Sequence, residues 1–130
     1  MVRRHFTAML CALILGLCAF EARAAERFGF EAAAFQAALD AGKPVLVHVT
    51  APWCGECQAQ KPIVAALAER SEFKALAIFD VDFDTQKEAL RRLKVPTQST
   101  LVVFKNGAEA ARAVGITRPE AIEAVMSKAL

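Results

Sequence analysis

Pro44-Val45-Leu46-Val47-His48-Val49-Thr50, continuing into Ala51-Pro52-Trp53-Cys54-Gly55-Glu56-Cys57, is the stretch on which the reading of this chain turns. Its first half is short, β-branched and apolar on both faces, the pattern of a buried strand. From Cys57 to Arg70 the pattern becomes helical, with Ile63, Val64 and Leu67 on one stripe. Pro62 falls inside that helix, where the missing N–H is expected to kink it. A strand entering a helix through Cys-x-x-Cys sets two sulfurs at i and i+3 on a first helical turn, within disulfide reach. The free N–H groups and positive dipole end of a helix start stabilise the first sulfur as thiolate. Thiolate is the form that attacks a disulfide; the second sulfur, one turn deeper, then attacks the mixed disulfide and releases the product. No second Cys-x-x-Cys and no His pair is present to complete a zinc site.

Glu31 to Ala41 has Ala and Leu at helical spacing and is stopped by Gly42. Ala75 to Asp82 reads as a second buried strand, and Thr85 to Leu93 as a helix with Leu90 and Leu93 facing the core. Thr100 to Lys105 is a strand, Asn106-Gly107 a hairpin turn and Ala110 to Val114 the return strand. Pro119 opens a terminal amphipathic helix reaching Leu130. With one further strand expected at the start, the order is (β)αβαβαββα. Helical crossovers imply parallel pairing of the early strands, and the hairpin adds an antiparallel edge. The fold class is α/β, a mixed central sheet flanked by helices.

The chain has 130 residues, enough for one domain. Its formal charge is only +2, which argues against nucleic acid or an anionic membrane as its main partner. Arg3, Arg4 and Arg23 against Glu21 account for that surplus, and all four belong to an N-terminal segment of different character. A basic start, an apolar run from Thr7 to Phe20 and Ala22-Arg23-Ala24 are the three parts of a secretory signal peptide. The run is shorter than the ~18–20 residues that span hydrocarbon, so cleavage after Ala24 is expected rather than retention as an anchor. The expected domains are a leader over 1–24 and one unit over 25–130, located in the periplasm or secreted. Cys11 and Cys18 leave with the leader, so Cys54 and Cys57 remain in an oxidising compartment.

These residues resemble the thioredoxin family over about Phe28 to Leu130. The likeness rests on Ala51-Pro52-Trp53-Cys54-Gly55-Glu56-Cys57, Pro62, Val81-Asp82, Phe104-Lys105-Asn106-Gly107 and Gly115. It implies the thioredoxin fold, with Cys54 as nucleophile, Cys57 as resolving thiol and Trp53 beside them on the substrate surface. Three departures stand out. The family's central Gly-Pro is Gly55-Glu56 here; a carboxylate in the first turn disfavours the Cys54 thiolate and points to a reducing couple. The family's cis-proline position matches Ser99, after Gln98, or else Pro96 with a three-residue insertion; in either case Gln98 and Ser99 belong to the expected substrate-binding loop. A cis bond before Ser99 costs ~3–4 kcal/mol, so a trans bond is a competing expectation. The family's buried acid and its Lys partner match His48 and, within one residue, Asp80. His48 is then expected to accept the Cys57 proton, with Asp80 orienting the imidazole.

The reading is a thiol–disulfide oxidoreductase serving cell redox homeostasis, acting on disulfide-containing proteins as a reductant. It needs no cofactor, since the electrons travel in the cysteine pair. A membrane thiol reductase is the implied electron donor, a monomer is expected, and membrane contact is confined to the signal peptide. The alternative is a metal-handling module binding copper or an iron–sulfur cluster through the same dithiol. Asp80, Asp82 and Asp84 alternate along a strand end without further oxygen ligands, and Phe79 and Phe83 read as core.

Overall fold

A computed structural model describes residues 24–130, so the leader expected over 1–24 lies, but for Ala24, outside the described residues. In chain order the elements are β1 (Glu26–Gly29), α1 (Ala32–Asp40), β2 (Val45–Thr50), α2 (Gly55–Ala68), β3 (Ala77–Asp82), α3 (Lys87–Leu93), β4 (Thr100–Lys105), β5 (Ala108–Val114) and α4 (Pro119–Met126). One sheet joins the strands in the order β1-β3-β2-β4-β5. β1 and β2 each run parallel to β3, while β4 runs antiparallel to both β2 and β5. The expected mixed sheet is therefore present, with its antiparallel part extending inward to the β2–β4 pair.

Most element bounds move by a residue or two, for local reasons. Glu31 starts α1 from outside, its carboxylate accepting the Ala34 N–H. β3 begins at Ala77 because a 3-10 turn at Ser71–Phe73 precedes it and Leu76 N–H donates to Phe73 O. α3 waits until Lys87 because the Asp82 carboxylate accepts from the N–H groups of Asp84 and Thr85, holding a turn there. α2 runs as one helix from Gly55 through Pro62 to Ala68. α4 ends at Met126 and finishes as a 3-10 turn over Ser127–Ala129.

Because successive side chains of a strand point to opposite faces, β2 feeds two cores. Val45, Val47 and Val49 pack with Phe35, Phe79, Leu90, Leu93, Val102 and Phe104 under α1 and α3. Leu46 packs with Val64, Leu67, Ile78, Leu101, Val103, Ile122 and Met126 under α2 and α4. Phe35 stacks edge-on against Phe79 and Phe104 at 5.7 and 5.3 Å, and burying each such ring stabilises the fold by ~2–3 kcal/mol. Asn106 (φ 51°) and Gly107 (φ 81°) make the tight β4–β5 turn, both in the left-handed conformation that such hairpins require. His48 lies in phase with Leu46, so the sheet delivers an imidazole to the α2 face.

Candidate active site

β2 ends at Thr50, and Ala51 to Trp53 turn the chain into α2, whose N-cap is Cys54. Its sulfur accepts the Cys57 N–H at 3.1 Å, an amide that is free because it belongs to the first helical turn. The same hydrogen bond and the helix dipole favour the thiolate once the pair is reduced. Cys54 and Cys57 are joined by a disulfide with Cα atoms 5.3 Å apart. Both residues are buried, Cys54 at 2% exposure and Cys57 at 0%. Trp53 stands 61% exposed beside them. Its indole N–H donates to both Asp84 carboxylate oxygens at 3.0 and 3.1 Å, and its ring meets Phe83 edge-on. Phe83 is half-buried and packs against the small cluster of Ala51, Cys54 and Cys57.

Ser99 lies directly before β4, next to the first turn of α2: its hydroxyl donates to the Glu56 carboxylate at 3.4 Å. It is 2% exposed, and its φ of 53° is left-handed. No cis peptide occurs among the described residues, so the bond before Ser99 is trans. The Ser99 carbonyl accepts from Gly115 N–H at 2.9 Å, which ties this loop to the end of β5. Gln98 is half-buried, its amide oxygen accepting from the Thr97 hydroxyl. Pro96 is exposed and lines a cavity with Phe83, Leu90 and Val95, away from the Glu56 contact.

His48 is fully buried, and its Nε2 lies 3.0 Å from Gln60 Oε1. Burial pushes its pKa below the ordinary 6.5; the Gln60 hydrogen bond and the charge of Asp80 oppose this, while Arg27 and Lys61 reinforce it. Asp80 does not orient the ring as expected. Its carboxylate takes two hydrogen bonds from Arg27, at 2.5 and 2.7 Å, and so reaches His48 only through its charge. Nor do the alternating aspartates converge on one point: Asp80 holds Arg27, Asp82 caps a turn, and Asp84 holds Trp53. Asp82 has a lowered pKa, chiefly because the Thr85 N–H stabilises its charge.

Gln60 is the residue that sequence reading missed. It sits one turn after Cys57 on the buried side of α2, in line with Val64, and that spacing was the available signal. A polar side chain on an apolar stripe needs partners, and Gln60 has three: it donates to Ser99 O at 3.1 Å and Ile116 O at 2.9 Å, and accepts from His48. Among the described residues no group of three or more His, Cys, Asp or Glu is placed to hold a metal ion, so the copper or iron–sulfur alternative gains no further ligand beside the joined sulfurs.

A thioredoxin family model matches residues 28–128. A thioredoxin H-type of Fagopyrum esculentum is 36% identical over 91 residues, covering 70% of this chain and 77% of its own length. A thioredoxin of Mycolicibacterium smegmatis is 36% identical over 93 residues, covering 71% and 83%. The crystal structure of Trxlp from Edwardsiella tarda EIB202 superposes with a TM-score of 0.76 at 39% identity, covering 78% of this chain and 98% of that one. Likeness of this extent, centred on a disulfide whose first sulfur caps α2, places the chain in the thioredoxin family, as a thiol–disulfide oxidoreductase.

Proposed function

We propose that the protein is a reductant of protein disulfides in the periplasm or a secreted setting, reached through the leader over 1–24. In the reduced state the Cys54 thiolate attacks a client disulfide, forming a Cys54–client disulfide and releasing the client's other sulfur as thiolate. Cys57 then gives its proton to His48 and attacks the Cys54 sulfur; the Cys54–Cys57 bond forms, the Cys54–client bond breaks, the client's sulfur leaves as thiolate, and the imidazolium returns the proton to it or to water. The client gains two electrons and the pair loses them, so a thiol donor must recharge it. A membrane thiol reductase fits that need from outside a reducing compartment, with the protein working as a monomer. Clients of matching chemistry are folding proteins, or the cysteines of apocytochromes and metallochaperones.

The observation that carries this reading is the arrangement at the start of α2: a Cys54 sulfur held by a backbone amide, a wholly buried Cys57, and, one turn after Cys57, Gln60 in contact with the buried imidazole of His48 on β2. Glu56 in the first turn, with no His between the cysteines, supports the reducing direction. Trp53 and Gln98 form the surface on which the client chain lies, with Ser99 buried in the loop beneath it. Cys57→Ser tests the sequence of events. It is expected to accumulate a stable mixed disulfide through Cys54, while Cys54→Ser forms none; trapping through Cys57 instead would reverse the roles.

A further inference from the structure

We propose that Gln60 is a positioning residue for exchange, fixing His48 in one tautomer and tying it to the backbone on which the client docks. This rests on the reading of His48 as acceptor of the Cys57 proton. A primary amide has two N–H donors and one acceptor oxygen. Both donors of Gln60 are engaged by carbonyls, Ser99 O at 3.1 Å and Ile116 O at 2.9 Å. The atom facing the imidazole is therefore Oε1, an acceptor, 3.0 Å from His48 Nε2. That nitrogen must carry the hydrogen, since the opposite tautomer would set two lone pairs against each other in a dry site.

It follows that Nδ1 holds the lone pair. Nδ1 is buried and is the one buried side-chain polar atom among the described residues without a hydrogen-bond partner. On the reading of His48 as proton acceptor, this unpartnered lone pair is the atom that takes the proton. The charged groups around the ring leave that role open. Asp80 on β3 is bound by Arg27 on β1, Lys61 on α2 acts only through its charge, and the facing β4 residue is the apolar Leu101. Gln60 also links three segments distant in sequence: β2 through His48, the loop before β4 through Ser99, and the chain after β5 through Ile116. The proton acceptor and the client-binding loop thus share one side chain, and Ser99 reaches Glu56 in the first turn of α2 from the other side.

The test reads the ring directly. His48 is the only histidine among the described residues, so its nitrogen resonances in a 15N NMR spectrum are assignable. In the parent protein at neutral pH a single Nε2–H form is expected; an Nδ1–H ring there overturns the proposal, with no variant needed. Gln60→Leu is expected to release the tautomer into a mixture. It should also slow resolution of a preformed mixed disulfide about tenfold, less than the ~100-fold or more that a positioned base contributes altogether. Gln60→Glu keeps an acceptor facing Nε2 but loses both donors to the Ser99 and Ile116 carbonyls, so it should hold the tautomer and move the pH profile of resolution upward without restoring the tie to those segments. A Gln60→Leu protein with a pure Nε2–H ring and the parent profile overturns the proposal. His48→Asn separates the two ideas: an unchanged pH profile of resolution in that variant overturns the proton-acceptor reading, while the tautomer spectra still decide what Gln60 fixes.

Discussion

A buried imidazole makes the stability of this domain depend on pH in a window where little else titrates. His48 is wholly buried, and desolvation, the largest influence on it, lowers its pKa below the ordinary 6.5. Between those two values the unfolded chain holds a proton that the folded chain does not, so stability rises with pH there. The contribution is complete above about pH 6.5 and is lost as pH falls from there toward the depressed folded value. At pH 5.5 the largest loss is RT ln 11, about 1.4 kcal/mol, and at most about 1.4 kcal/mol more follows per further unit. For a domain of this size the melting temperature then falls between pH 7.5 and 5.5, by at most about 6–11 °C. The assay is thermal melting of the oxidised protein, in which neither Cys54 nor Cys57 titrates, beside His48→Asn. The chain's other histidine, His5, belongs to the expected leader. His48→Asn is expected to melt at nearly the same temperature at both pH values, whatever its absolute stability. A variant that keeps the parent's full pH slope would show that the slope comes from a group other than His48.

Three further outcomes follow from the packing. Phe35→Ala removes a ring lodged among Phe30, Phe79 and Phe104 and should cost about 3–5 kcal/mol in urea unfolding; a loss below about 1 kcal/mol would contradict that packing. Gly107→Ala forces a Cβ onto a residue at φ 81°, 3.2 Å from the Leu39 carbonyl, and should cost at least about 1 kcal/mol, whereas an unchanged urea midpoint would deny the strain. Glu56→Gln removes a negative charge from the turn that holds Cys54. A charge at a helix start acts with ~0.3–1 kcal/mol, so the potential of the pair should rise by about 5–20 mV, and a fall would reverse the assigned sign.

What the sequence disclosed was whatever is written locally. The buried strand before Trp53, the Cys-x-x-Cys helix start and the Asn106-Gly107 hairpin are each encoded in adjacent residues, and each stands where the pattern put it. β1 was expected without an address, because Glu26–Gly29 is a four-residue edge strand with every residue exposed, leaving no buried alternation to read. That gap hid a second fact: Arg27 on β1 is the partner of Asp80, so Asp80 was assigned to His48, its neighbour in register on β2. Gln60 was overlooked for a similar reason. Two of its partners are carbonyls 39 and 56 residues away, and backbone acceptors leave no mark in a sequence. The left-handed φ of Ser99 was equally invisible, since serine carries no preference that announces it.

The central claim is that the Cys54–Cys57 pair is a reducing couple. Equilibrating residues 25–130 against graded dithiothreitol or glutathione buffers and counting free thiols gives its potential directly. A value near ~−270 mV, where reducing members of this chemistry lie, is the expected result. A value near ~−120 mV would contradict the account, marking the pair as an oxidant that passes its disulfide to clients.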